Sequence, residues 1–204
     1  MSYRQIEDLL WERGIDVCHE TVRYWVGVFG KKFAGSIRRK RQNSHSNWQW
    51  HIDEVFVKVK GKLHYLWRAV DGEGEVLDCY VSERRNRKAA VKFLQKVMRK
   101  RGIPQKIVTD GLSSYRASLK ELGLEKCQEV GRYLNNRCEN SHLPFRRREY
   151  MMQHFRRVRW LQEFASIQGQ VYNFFNHERH LVKRDTYKER RSTALAEWMC
   201  LFIG

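Results

Sequence analysis

The chain has 204 residues, 42% hydrophobic and 13% aromatic, which supplies one full core and excludes a disordered chain. Lys and Arg number 40 against 23 Asp and Glu, a formal charge of +17 with a pI near 9.9, so the expected partner is a polyanion, nucleic acid foremost. No apolar run approaches the roughly 20 residues of a membrane span, and five scattered cysteines without a C-x-x-C pair read as reduced thiols of a cytoplasmic protein, expected at the nucleoid if the polyanion is DNA.

Two amphipathic segments open the chain. "YRQIEDLLWERG" places Ile6, Leu9 and Leu10 on one face and is expected to stop at Gly14. "HETVRYWVGVFG" places Val22, Trp25, Val26 and Phe29 at helical spacing and is expected to stop at Gly30. Two such helices around a tight turn fit a helix-turn-helix over residues 1–33, with Arg23 and Tyr24 facing DNA; an ordinary helical hairpin is the competing reading. Residues 34–47 read as a basic linker whose Arg38, Arg39, Lys40 and Arg41 would track a phosphate backbone.

From Trp48 the pattern changes period. "WQWHIDEVFVKV", "LHYLWRAV" and "EVLDCYVS" read as three strands of a meander separated by Gly-containing turns. Trp48, Trp50 and Trp67 are assigned to the core. "NRKAAVKFLQKVMRKRG" follows as a helix with Ala90, Phe93, Leu94 and Val97 inward, then the strand "KIVTD", the helix "LSSYRASLKELG", the strand "EKCQEV" and a helical tail from about Asn136. A meander followed by βα alternation predicts an α/β fold, a mixed five-stranded sheet flanked by helices, over residues 48–204.

Three carboxylates sit oddly on that map. Asp53 falls in mid-strand, where Asp is depleted and an unpaired buried carboxylate is costly. Asp110 ends a strand just before Gly111, where α/β proteins place functional groups, although it would serve equally as a helix N-cap. Glu139, in "NNRCENSHLPFRRRE", stands just ahead of Arg146, Arg147 and Arg148, and a surface ion pair is its plainer reading. If "KIVTD" pairs beside the first strand, Asp53 and Asp110 lie side by side, while Glu54 points to the opposite face. Carboxylates plus substrate phosphate oxygens hold Mg²⁺, and two such ions roughly 4 Å apart clamp an in-line phosphoryl displacement. The arginines would neutralise the phosphodiester, with Arg146 two turns beyond Glu139 on the same face.

The blocks "WHIDEVFVKVKGKLHYLWRAVDGEGEVLDCYVSERRNRKAA", "VTDGLSSY" and "NNRCENSH", in this order, closely resemble bacterial DDE transposases of the insertion-sequence-six family. That resemblance implies an RNase H-like catalytic domain preceded by a helix-turn-helix for terminal inverted repeats. It implies a catalytic and metal-binding triad of Asp53, Asp110 and Glu139, followed by a basic residue at Arg146. It also implies two Mg²⁺ ions (Mn²⁺ as substitute), element-end and target DNA as partners, a homodimer or larger assembly on DNA, and DNA cleavage with strand transfer. The chain begins almost directly at "SYRQIEDLL", which suggests an incomplete DNA-binding segment. An RNase H-like nuclease without strand transfer and a DNA-binding remnant are the alternatives.

Overall fold

The computed structural model describes residues 2–40, 48–131, 133–152, 155–175 and 183–203. Helix α1 spans Tyr3–Trp11 and α2 spans His19–Lys40. Strands β1 (Gln49–Val59), β2 (Lys62–Asp71) and β3 (Val76–Ser82) form the meander. Helix α3 (Arg87–Arg101), β4 (Lys106–Thr109), α4 (Ser113–Glu121), a 3-10 turn (Glu125–Cys127) and β5 (Gln128–Val130) follow. The helices α5 (Asn136–Met151), α6 (Val158–Phe175) and α7 (Arg184–Ile203) complete the chain.

The sheet order is β3-β2-β1-β4-β5. β1 pairs antiparallel with β2 and parallel with β4, and β4 pairs parallel with β5. This mixed five-stranded sheet flanked by helices is the α/β architecture expected. The β1–β2 hairpin turns through Lys60 (φ 48°) and Gly61 (φ 76°), the left-handed pair that matches the twist of antiparallel strands.

Strand alternation divides the core. Trp50 and Ile52 of β1, with Trp67 of β2, bury against Ala90, Phe93, Leu94 and Val97 of α3 and Tyr115 and Leu119 of α4. Val55, Val57 and Val59 bury on the other face against Phe145 of α5 and Leu161 and Ala165 of α6. Asn86 caps α3 by accepting the Ala89 amide at 3.0 Å, and Gly102 closes it. Trp48 departs from expectation: it is 53% exposed, with the Lys106 ammonium over its ring.

The N-terminal segment differs from its sequence reading. α2 does not stop at Gly30 but runs on to Lys40. A Cβ at Gly30 would stand 3.1 Å from Ile167 Cδ1, so this glycine allows α2 to approach α6 rather than ending a helix. Ala34 and Ile37, inside the expected linker, are buried, Ile37 against Phe174 of α6 and Ala194 of α7. The expected apolar faces are only partly covered: α1 buries no residue completely, Ile6, Leu9 and Leu10 being half-buried, and on α2 Val22 is buried while Trp25, Val26 and Phe29 are exposed. α1 is tied to α2 by Glu7 Oε2, which accepts the His19 amide at 3.0 Å and lies 2.8 Å from His19 Nδ1. Arg38, Arg39 and Lys40 therefore belong to the last turn of α2, and Arg41 lies outside the described residues.

Candidate active site

β4 pairs with β1 only from Gln49 to His51, so Asp53 and Glu54 lie beyond the end of their neighbouring strand. Asp110 follows Thr109, the last residue of β4, and fills that gap. Gly111, at φ 82°, turns the chain away at once; a Cβ there would stand 2.8 Å from Val130 Cγ1. Asp110 Oδ1 accepts the Leu112 amide at 3.1 Å, whereas the N-cap of α4 is Leu112, without a side-chain bond. Asp110 thus shapes the turn without capping the helix.

Asp53, Glu54 and Asp110 each present a carboxylate oxygen within 4.8 Å of the other two. The alternation does send Asp53 and Glu54 to opposite faces, Asp53 toward α5 and Glu54 toward α4. With β4 ended, both carboxylates still converge on the gap. Glu139 is not a member of this group. It stands exposed in the first turn of α5, near enough that its charge acts on Asp53. The structure therefore brings Asp53 and Asp110 together and leaves Glu139 outside that spacing.

Sequence reasoning missed Glu54. Its side chain is 1% exposed, Tyr115 donates its hydroxyl to Oε2 at 2.6 Å, and Arg85 pairs with Oε1. The same Arg85 nitrogen, Nη2, lies 3.4 Å from Asp110 Oδ2. The signal was available, because Trp50, Ile52 and Glu54 share one phase of β1, and a Glu in the inward phase needs buried partners.

Burial pushes the Asp53 carboxyl up to about 7, and the charges of Glu54, Asp110 and Glu139 push the same way. The Glu54 amide, donating to Asp53 Oδ1 at 2.9 Å, opposes the shift. Burial likewise raises Glu54, although its bonds to Tyr115 and Arg85 favour the charged form. His142, one helical turn after Cys138, places Nδ1 3.9 Å from Asp53 Oδ2. Burial, aided by the charges of Arg68 and Arg146, holds it down to about 3, so the imidazole is neutral at ordinary pH. Cys138 is fully buried and its thiol is pushed far up, which suits a structural role rather than a nucleophile.

An all-oxygen donor set whose members repel each other fits a hard divalent cation. Asp53 and Asp110 are the donors best placed to hold one, since Glu54 is engaged by Tyr115 and Arg85.

The basic candidates are spread over two helices. Arg23 and Tyr24 are exposed on α2, Arg23 bonded to both Glu20 oxygens at 2.7 and 2.8 Å. Arg39 is exposed and donates to Ser36 Oγ at 3.1 Å. Arg146 pairs with Glu149 at 2.7 Å, and Arg147 and Arg148 face solvent on α5, the helix that carries Glu139.

Residues 47–178 match a family model described as a DDE domain. The transposase for insertion sequence-like element IS431mec of Staphylococcus aureus (strain Mu50 / ATCC 700699) is 35% identical over 147 residues, 70% of this chain and 65% of the relative. The transposase for insertion sequence element IS257 in transposon Tn4003, also of Staphylococcus aureus, is 34% identical over the same coverage. The chain thus spans about two-thirds, 65%, of the length of these relatives. Among solved structures, the HTLV-2 integrase catalytic core domain in complex with magnesium (dimeric form) aligns with TM-score 0.49 and 14% identity, over 65% of this chain and 88% of that one. On the family match and these identities, the chain belongs to the DDE-domain family of insertion-sequence transposases.

Proposed function

We propose that this chain catalyses metal-dependent cleavage and strand transfer on DNA at the ends of an insertion sequence. The observation that carries the reading is the convergence of Asp53, in mid-strand, and Asp110, at a strand end, in a gap that a structural account would fill with apolar side chains. Family membership supports the same assignment. Mg²⁺, as two ions with Mn²⁺ as substitute, would supply the charge that activates the attacking oxygen and stabilises the leaving one. Asp53 and Asp110 would hold it, and the exposed Glu139 side chain would swing in from the first turn of α5 to join them when DNA and metal bind.

The chain's own groups do the rest. Neutral His142 contacts Asp53 without bringing a competing positive charge to the acidic cluster. Arg146, Arg147 and Arg148 would hold the DNA backbone beside Glu139, and Arg38, Arg39, Lys40 and Arg41 would add sequence-independent affinity. Arg23 and Tyr24 on α2 would face the terminal repeats, with the catalytic domain over residues 48–204. Acting on two DNA ends calls for a dimer or larger assembly, in the cytoplasm at the nucleoid.

The test incubates purified protein with labelled DNA carrying the terminal repeats, a target plasmid and Mg²⁺, beside Asp53→Asn, Asp110→Asn and Glu139→Gln. Joined products that vanish in all three variants support the proposal. Cleavage without joining points to a nuclease, and binding alone overturns the enzymatic reading.

A further inference from the structure

Arg68 is an expensive residue to place where it is. It is fully buried, its Nε and Nη1 have no hydrogen-bond partner among the described residues, and burial pushes its pKa down. A hydrophobic side chain of similar volume would pack there at lower cost. Its Nη2 donates to the main-chain carbonyl of Ser141 in α5, at 3.2 Å, and its guanidinium stands 5.9 Å from the ring of Phe145 on the same helix. Arg68 is also the register partner of Asp53 across the β1–β2 ladder.

A second buried polar group, Asn135, ties the start of the same helix to the sheet. Asn135, just before α5, donates Nδ2 to the carbonyl of Ile52 at 3.0 Å, and Ile52 immediately precedes Asp53. Between the two, Cys138 Sγ lies 3.7 Å from the Arg68 carbonyl, and Ser141 Oγ donates to the Cys138 carbonyl at 2.6 Å. Glu139 falls inside this bracket, four residues after Asn135 and two before Ser141.

We propose that Asn135 and Arg68 are positioning residues that clamp the first turns of α5 across β1 and β2, so that Glu139 is presented to Asp53 from a fixed distance. This rests on the reading of Glu139 as the third catalytic carboxylate. Arg68 holds a main-chain carbonyl of α5, and the Asn135 side chain, leading into α5, holds a main-chain carbonyl of β1, so the start of the helix is tied to the sheet at two points while the Glu139 side chain is left to move. Acidic groups in such a site must be held to within fractions of an ångström of the productive geometry, and a displacement near 1 Å costs about 100-fold in rate.

The test uses the full chain with Asn135→Ala, Arg68→Met, Arg68→Lys, Glu139→Gln and, as a stability comparator, Asn173→Ala, which removes buried bonds to Val76 on the edge strand. Hydrogen exchange of the metal-free protein and steady-state joining of repeat-end DNA to plasmid are measured on each. The expected result is several-fold faster exchange confined to residues 136–142 in Asn135→Ala and Arg68→Met. Their kcat should fall about tenfold or more with KM for DNA within about twofold, while Arg68→Lys recovers part of the loss. Asn173→Ala should lower the melting temperature yet keep kcat at temperatures where it is folded. Unchanged exchange, or faster exchange with wild-type kcat, overturns the clamp. Wild-type joining by Glu139→Gln, or no joining by the unaltered chain, overturns instead the reading on which the clamp rests. Should Arg68→Met not fold, Asn135→Ala decides alone.

Discussion

Arg85 Nη2 stands between two carboxylates, paired with Glu54 on one side and 3.4 Å from Asp110 on the other. The Arg85 charge thereby favours the ionised form of Glu54 against the burial that raises it, and the same guanidinium brings a positive charge beside Asp110. The arrangement explains how two acids beside Asp53 persist within 4.8 Å of one another.

Breaking that pair on one side leaves a buried charge uncompensated. Arg85→Ala is expected to lose roughly 3–5 kcal/mol of stability, and the double variant Glu54→Met, Arg85→Met to recover most of it. Tyr115→Phe, which withdraws one bond from the same carboxylate, should cost about 1–3 kcal/mol. Urea unfolding of wild type, these variants and the single variants Glu54→Met and Arg85→Met completes the cycle, and losses in the two single variants that add up to that of the double would remove the pair from this account.

Asp53 makes stability fall with rising pH. Its carboxyl is raised from 3.8 to about 7 in the folded protein. Across that window the folded state keeps a proton that the unfolded chain has released, so the unfolding free energy declines as pH climbs and levels off above the folded value. In metal-free buffer, Asp53→Asn should therefore melt above wild type at about pH 8, with the difference closing toward about pH 4. Mg²⁺ should raise the wild-type melting temperature most at the alkaline end, where the carboxylate is free of its proton. Thermal scans with and without Mg²⁺ read both effects; a variant that melts with wild type at every pH contradicts the assignment.

His142 acts with the opposite sign. Its folded value is lowered from 6.5 to about 3, so within that window the unfolded chain binds a proton that the folded state refuses. Its contribution is present above the unfolded value and is lost as the pH falls toward the folded one. His142→Asn should flatten the acid limb of the denaturation midpoint plotted against pH while changing it little at about pH 8. An acid limb as steep as that of wild type would place the titrating group elsewhere.

DNA affinity should weaken steeply with salt, given the charge of +17. Each phosphate contact contributes a slope of about −0.9 in log K against log salt. Arg147→Ala and Arg148→Ala, on exposed positions of α5, should each reduce the magnitude of that slope by about 1, uniformly across DNA sequences. Fluorescence anisotropy on a random duplex at several salt concentrations gives the slopes, and equal slopes in all three proteins would remove these arginines from the interface.

Much of the site was readable in the linear chain because its signals are local. An Asp inside an alternating run and an Asp at the end of a short apolar run both violate strand chemistry where they stand. Gly30 hides its role for a converse reason: a helix-ending glycine and a glycine that admits a neighbouring helix look the same until Ile167, far along the chain, is in place. The basic run after it reads as a linker in the sequence because Ile37 finds its apolar partners, Phe174 and Ala194, only in distant helices.

Period, charge and residue type along the sequence settled the order of strands and helices, the basic character of the chain and the acids that fit their surroundings poorly, since each depends on near neighbours alone. Tertiary structure decided that β4 stops short of Asp53, that Glu54 enters the acidic gap under the hold of Tyr115 and Arg85, and that Glu139 stands outside it. Those outcomes turn on where one strand ends relative to another and on which buried groups find partners, relations set by packing between segments tens of residues apart.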